Sequence, residues 1–345
     1  MQNKTLIHPL PTEVRPQLID SFGRVHNYLR ISLTERCNLR CFYCMPEEGI
    51  PLRDKAHFMN HEEVFGIAKI FNQLGVSKIR LTGGEPLIKK GAKDIIANLA
   101  KLDTELAITT NGILVDQFID VFKDNGIKSV NISLDSLVAQ RQEMISRRNY
   151  FDRIFKNINL LIDEGFNVKI NVVVMNNVND TELVDFVELT KDKSVQIRFI
   201  EFMPFNGNKW SWSKGVGFQK MMNAINYHFG EEKVIPLVGN PNDTAKCFTV
   251  ENYKGSFGII SSISNPFCGT CNRIRLTADG KMKNCLFSSG ETDLLTAYRN
   301  GEDLIPLIKH SIGTKKAERA GLDTIEKLNT SSLNTKNRSM ISIGG

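Results

Sequence analysis

The segment Tyr28-Leu29-Arg30-Ile31-Ser32-Leu33-Thr34, running on into Glu35-Arg36-Cys37-Asn38-Leu39-Arg40-Cys41-Phe42-Tyr43-Cys44, decides the fold. Its first half reads as a β-strand and its second as a loop carrying three thiols. Outward from it the same rhythm recurs. Strands are expected over Lys78–Thr82, Leu106–Thr110, Ser129–Leu134, Val168–Met175 and Val195–Glu201. Between them lie stretches of helical period, such as Val64, Ala68 and Phe71, or Ile154, Ile158 and Leu161. Gly75, Gly126 and Gly165 each stand just before a strand, where glycine ends a helix at little conformational cost. Repeated β-then-α units predict a parallel sheet with right-handed crossovers. Polar residues gather at the strand ends, in Thr-Gly-Gly-Glu-Pro, Thr-Thr-Asn-Gly, Ser-Leu-Asp-Ser and Glu-Phe-Met-Pro. In barrel-type α/β folds that end of the strands forms the active-site face. Six units fall short of eight, so the expected fold is α/β, a partial TIM-type barrel of about six βα units. An irregular C-terminal region would cover its open side.

The pattern changes after Pro204. Residues 1–204 are read as the barrel core and 205–345 as the C-terminal region. Asn206–Gly217 holds both tryptophans and reads as a loop; Met221–Phe229 suits a helix; Phe248–Ser264 and Ile274–Leu276 suit strands. The last stretch, Asn329–Gly345, is rich in Ser, Asn and Gly and reads as mobile.

Seven cysteines are present, and six form two groups of three: Cys37, Cys41 and Cys44, then Cys268, Cys271 and Cys285. In a reducing compartment such groups are metal ligands rather than disulfides. Cys247 stands apart and is read as a small apolar side chain. Three closely spaced thiolates can hold three corners of a 4Fe–4S cube, which normally takes four. The remaining iron is then open to an outside ligand. Zinc would want four ligands, and the nearest histidine, His57, lies beyond the usual motif spacing. A distant residue completing the site keeps that reading open.

A 41% apolar share with 24% charged residues marks an ordinary globular chain. No apolar run is long enough to cross a bilayer, and Met1–Val14 has no signal-peptide core. A cytoplasmic or organelle-matrix protein is expected, with no membrane partner. The formal charge of +6 is modest. No block of like charge suggests a nucleic-acid tail.

The spacing C-x3-C-x2-C with Tyr43 before the last cysteine, joined to Thr82-Gly83-Gly84-Glu85-Pro86 after the second strand, resembles the radical S-adenosylmethionine superfamily. In that superfamily the open iron is chelated by the amino and carboxylate groups of S-adenosylmethionine, and the GGEP stretch helps hold the amino group. The second group, Cys268-Gly-Thr-Cys271-Asn-Arg273-Ile-Arg275-Leu with Asp279-Gly280 and Cys285-Leu286, resembles the GTP 3′,8-cyclases of molybdenum-cofactor biosynthesis. The likeness runs from about Leu29 to Gly345 and includes the terminal Gly344-Gly345.

The resemblance implies two 4Fe–4S clusters, on Cys37, Cys41 and Cys44 and on Cys268, Cys271 and Cys285, with S-adenosylmethionine as cosubstrate. It implies that Tyr43, Gly84, Ser133 and Met203 contact S-adenosylmethionine, and that Arg30, Arg80, Thr109, Lys169, Asn272, Arg273 and Arg275 contact GTP. The activity implied is a lyase-class cyclisation. A 5′-deoxyadenosyl radical takes hydrogen from the ribose 3′ carbon, and the carbon radical closes onto C8 of guanine. The second cluster would hold the guanine. A reductant protein would supply electrons, and a later enzyme of the molybdopterin pathway would take the product. A homodimer is compatible with all of this.

The residues themselves are compatible with a triphosphate. There is no P-loop motif, so side-chain cations must meet the phosphates, and guanidinium forks suit them. Each cation alone reads as solvated surface charge; Arg273 and Arg275, fixed between cysteines, read as functional. A frayed end is the ordinary reading of Gly344-Gly345; the resemblance instead sends that tail into the active site. Two rival readings remain. One is a radical enzyme acting on a peptide; the other is a zinc-stabilised nucleic-acid-binding protein, which predicts basic or aromatic stripes not found here.

Overall fold

The computed structural model describes residues 15–45, 48–51, 53–329 and 337–344. Six strands come first: β1 (Tyr28–Ser32), β2 (Lys78–Thr82), β3 (Glu105–Thr110), β4 (Ser129–Ser133), β5 (Asn167–Val174) and β6 (Val195–Glu201). Each pairs in parallel with the next. The helices that return the chain between them include α1 (His61–Gln73), α2 (Ala92–Leu99), α3 (Ile119–Asp124), α4 (Ala139–Ser146), α5 (Phe151–Asp163) and α6 (Leu183–Glu188). The start of α1 is fixed reciprocally. The Asn60 side chain accepts from the Glu63 amide, and the Glu63 carboxylate accepts from the Asn60 amide, which satisfies two otherwise open donors of the first turn.

Strands buried in parallel sheets are usually apolar throughout; these alternate. Leu29 and Ile31, Ile79 and Leu81, Leu106 and Ile108, Val130 and Ile132 form a buried outer layer shared with the helices. Burying one such side chain contributes about 1.5–3 kcal/mol, so this layer carries the barrel's stability. The opposite positions are mostly polar or basic. Cross-strand partners Arg30 and Arg80, Thr109 and Asn131, Asn131 and Lys169, and Asn171 and Arg198 place them on one inner face.

Beyond β6 the chain forms β7 (Val234–Pro236), β8 (Lys246–Val250), β9 (Ser256–Ile260), β10 (Arg273–Leu276), β11 (Lys281–Lys283) and β12 (Thr292–Asp293). β9 joins β6 in parallel and β10 joins β1 in parallel. Among the described residues the sheet therefore has twelve strands, open from β12 to β7, with eight parallel strands in its middle. The C-terminal region thus extends the partial barrel at both edges. The helix expected over Met221–Phe229 spans Phe218–Phe229. The long stretch expected as strand, Phe248–Ser264, is split by a turn at Glu251–Asn252 into β8 and β9. Among the described residues no helix is long and apolar enough to cross a membrane.

The described part of the tail, residues 337–344, departs from its mobile reading. Met340–Ile343 is a short helix, and Ile341 and Ile343 are each 1% exposed. The Ser, Asn and Gly around them hide two apolar residues that have a core to enter. Residues 330–336 and Gly345 lie outside the described residues, as does the Met1–Val14 stretch.

Candidate active site

The thiol loop leaves β1 and folds back on the barrel mouth. The amides of Arg40 and Phe42 donate to the carbonyls of Ser146 and Ile145, at the end of α4. The Cys44 and Met45 amides donate to the Cys41 carbonyl, which curls the loop into a turn. The loop is also laced to the strand beside it: Gly84 N donates to Thr34 O at 2.6 Å and Glu85 N to Arg36 O at 2.8 Å. Glu85 is buried and does not face the cavity. Its carboxylate accepts from the Thr110 hydroxyl and from the amides of Leu87 and Asn111, and burial lifts it to about 7. Asn111 in turn approaches the Cys37 sulfur, at 3.8 Å.

Burial pushes the Cys37 thiol up to about 11 and that of Cys44 up to about 12, and Cys41 well above its usual range. Each also senses the negative charge of its neighbours, so bare thiolates there call for a cation. Tyr43 donates to Asp135 Oδ2 at 2.8 Å, while Asp135 Oδ1 accepts from the Val173 amide at 2.9 Å. That pair fixes the Tyr43 ring two residues beyond Ser133 at the end of β4.

The second thiol group flanks β10 and β11, beside β1: Cys268 and Cys271 precede β10, at the start of β1, and Cys285 follows β11. Cys268, Cys271 and Cys285 line one cavity together with Arg30, Arg198, Arg273, Arg275, Lys283, Met203 and Met340. Burial raises Cys268 and Cys285. Burial acts the same way on Cys271, yet Arg273 and Lys315 outweigh it and bring that thiol down to about 7. Three soft thiols in each group are a donor set that fits a 4Fe–4S cube with one iron open. Among the described residues no three His, Cys, Asp or Glu side chains converge on one ion-sized point. Ligands on three different irons of a cube stand farther apart than the ligands of one zinc.

Between the thiol groups lies the basic inner face. Glu105, at the foot of β3, pairs with Lys78; above it no inward position of β1 to β6 is a carboxylate. Burial lowers Arg30 to about 10 and Arg275 to about 9, with neighbouring cations adding to the effect. Lys169 falls to about 8 for the same reasons. Thr109 Oγ1, Asn131 Oδ1, Asn171 Oδ1 and Arg198 Nε are buried with no partner among the described residues. Such atoms cost free energy unless a ligand meets them. Crowded cations with open polar atoms make a receptor for a polyanion with hydroxyl or amide groups.

Lys169 titrates near 8 when folded against 10.5 ordinarily, so between those values the unfolded chain holds more protons. The ligand-free protein should therefore gain stability as pH rises through that window. Inorganic triphosphate should do the opposite, binding best below pH 8 and more weakly above it. Calorimetric titration at pH 7 and pH 9 checks this; Lys169→Met should flatten the step, and an unaltered step would refute the assignment.

The sequence-predicted residues are not all placed alike. Arg30, Arg273, Arg275 and Met203 line the cavity. Arg80 shares the inner face but is engaged in the wall, donating to Tyr28 Oη at 2.6 Å and Ile108 O at 2.8 Å. Thr109 and Lys169 lie on the same face by register. The Asn272 side chain turns away and donates to Asn27 Oδ1 at 2.7 Å. Gly84 packs on the Arg36 carbonyl. Gly344 reaches the interior: its carbonyl accepts from Arg275 Nη1 at 2.6 Å. Arg198, Asn131 and Asn171 went unrecognised in the sequence; the period-two alternation of β4, β5 and β6 was the signal that could have found them.

The family model for the Radical SAM superfamily matches residues 31–190, and that for Molybdenum Cofactor Synthesis C matches residues 195–320. The Streptococcus suis SuiB structure bound to S-adenosylmethionine superposes with a TM-score of 0.59 at 15% identity. It covers 89% of this chain and 73% of that one, a likeness of fold. The mitochondrial GTP 3′,8-cyclase of Arabidopsis thaliana is 46% identical over 338 residues, 96% of this chain and 84% of its own length. Human molybdenum cofactor biosynthesis protein 1 is 44% identical over 94% of this chain, which spans about half of that relative, 51%. The partial barrel and its matched model define a radical S-adenosylmethionine protein. Within that class, the chain belongs to the GTP 3′,8-cyclase family of molybdenum-cofactor biosynthesis.

Proposed function

We propose that this chain cyclises GTP to 3′,8-cyclo-7,8-dihydro-GTP, an early step towards molybdopterin. The observation that carries the reading is the basic barrel interior with a thiol triad on either side of it. A cation-lined cavity with open polar atoms supports a nucleoside triphosphate over a peptide. Cys37, Cys41 and Cys44 would hold the first cluster, and Cys268, Cys271 and Cys285 the second, within a core of residues 1–204 and a C-terminal region of 205–345. When bound, the first cluster and S-adenosylmethionine supply the carbon radical that takes hydrogen from the ribose.

This chain's own residues do the rest. Tyr43, Gly84, Ser133 and Met203 would seat S-adenosylmethionine at the barrel mouth. Arg30, Arg273 and Arg275, with Arg198 and Lys169, would hold the triphosphate; Thr109 would complete the GTP site, Arg80 would brace its wall, and Asn272, bonded to Asn27, would support that wall from outside the site. Positioning dominates, because hydrogen transfer needs its two centres near contact. Gly344 and Gly345 would close the site and keep water from it. A reductant protein would deliver electrons, a downstream enzyme of the molybdopterin pathway would take the product, and the cytoplasm is the compartment that suits such chemistry.

The test is an anaerobic reaction of cluster-reconstituted protein with S-adenosylmethionine and a reductant, with and without GTP, read by mass spectrometry. The expected result is 5′-deoxyadenosine that depends on GTP, together with a product isomeric with dihydro-GTP. Cleavage indifferent to GTP would overturn the substrate assignment.

A further inference from the structure

The segment before β1 wraps under the second thiol group. A bridge between Ile19 and Val25 closes a tight turn, and this holds three buried polar side chains: Asp20, Arg24 and His26. Asp20 accepts from Arg24 Nε at 2.5 Å and from His26 Nε2 at 3.0 Å. Arg24 Nη1 donates to the Cys268 carbonyl at 2.9 Å and to Ala317 O at 2.7 Å. The turn therefore ties one thiol-bearing residue to the segment that follows the helix Leu304–Gly313.

That segment carries Lys315, 4% exposed. Its ammonium has three neighbours: Cys271 Sγ at 3.5 Å, His26 Nδ1 at 3.5 Å and Arg273 O at 3.2 Å. The geometry fixes the tautomer: His26 gives its Nε2 proton to Asp20 and accepts at Nδ1. Burial and the Lys315 charge keep that imidazole neutral, down to about 4. The Asp20 charge is answered by Arg24. Among the described residues Lys315 forms no ion pair with a carboxylate. A buried ammonium needs a counter-charge; among the described residues the anionic acceptor within hydrogen-bond reach is the Cys271 thiolate, with Cys285 adding negative charge further off.

We propose that Lys315, aimed by His26 and Asp20, is a positioning residue that donates to the Cys271 sulfur and raises the reduction potential of the cluster held there. The inference rests on Cys268, Cys271 and Cys285 being cluster ligands. One-electron reduction adds negative charge to the cluster, and a fixed cation with its N–H on a ligand sulfur favours that reduced state. Hydrogen bonds to sulfur and the surrounding charge are recognised levers on cluster potential.

The experiment uses the full-length chain with Cys37, Cys41 and Cys44 all replaced by alanine, so that only the second group can hold iron. Reductive titration followed by electron paramagnetic resonance then reads one cluster. Lys315→Met should lower its midpoint by a tenfold change in the reduction equilibrium, about 59 mV for one electron. Lys315→Arg, which keeps the charge and a donor, should restore most of it. A Lys315→Met midpoint equal to the parent's, at equal iron content, would overturn the role of Lys315 and leave the cluster assignment standing. Absence of iron in the parent would overturn both. Should Lys315→Met fail to retain iron, parent protein labelled with 15N-lysine decides: a 15N hyperfine coupling to the reduced cluster is expected, and its absence refutes the contact.

Discussion

Gly84→Ala should strip the first thiol group of iron while leaving the second loaded. A Cβ on residue 84 would stand 2.2 Å from the Arg36 carbonyl oxygen and 2.6 Å from its carbon. Those are backbone atoms, so no side chain can swing aside. The two segments are also laced together by the bonds from Gly84 N to Thr34 O and Glu85 N to Arg36 O. Relief of the clash must therefore move the Arg36–Cys37 backbone itself. Overpacking of this kind costs about 1–3 kcal/mol, and it falls on the residue next to a cluster ligand. A displacement near 1 Å is enough to cost about a hundredfold in a reaction governed by positioning. Iron and sulfide analysis of anaerobically reconstituted protein should fall from two clusters to one, with the overall fold intact by circular dichroism. Full iron content in Gly84→Ala would sink the argument.

What the sequence made legible was what is local. The six strands of the core lie within a residue or two of their expected positions, because the βα rhythm and the closing glycines are written in adjacent residues. The two thiol triads were likewise visible as spacings. Gly84 was recognised, but as a ligand-contacting residue; its close approach to Arg36 depends on two loops meeting from different strands. Arg198, Asn131 and Asn171 were hidden because apolar strand runs draw attention away from the polar residue between them. The Asp20–His26–Lys315–Cys271 chain had no signal at all. His26 and Lys315 are 289 residues apart, and only the folded chain, through contacts such as Arg24 to Lys316 and Ala317, brings their segments together.

The tail was misjudged for a related reason: composition averages over a segment, whereas burial acts on single side chains. Arg338 shows how firmly that segment is held. Its guanidinium meets Asp279 at 2.9 Å and Glu291 at 2.6 Å, and Glu35 lies 3.8 Å away. Arg53 also reaches Glu35 and Asp279, at 2.6 and 3.2 Å. Glu35 is two residues from Cys37, and Asp279 follows β10. This network therefore ties the tail to both halves of the proposed site, and partly buried networks of charge are costly to break.

On that anchor rests the second large effect: Gly344→Ala should cut cyclisation at least about a hundredfold while both clusters and S-adenosylmethionine binding persist. Gly344 has φ +85°, a region that costs a side-chain-bearing residue about 1–3 kcal/mol. Its Cβ would also stand 2.8 Å from Ser32 Cβ and 2.8 Å from Thr82 Oγ1, both on the inner face at the ends of β1 and β2. The buried Ile341 and Ile343, and Arg338 before them, prevent the tail from simply sliding out. The added methyl must instead displace the Gly344 carbonyl from Arg275, and with it a guanidinium assigned to the triphosphate. The informative readout is the ratio of cyclised product to 5′-deoxyadenosine, which should collapse, because GTP bound out of register can still trigger radical formation whereas ring closure needs it held in register. Arg338→Ala, which frees the tail without touching the cavity, should lower the same ratio less steeply. Turnover in Gly344→Ala equal to that of the unaltered protein would mean that the tail closes nothing and that Arg275 finds its orientation without it.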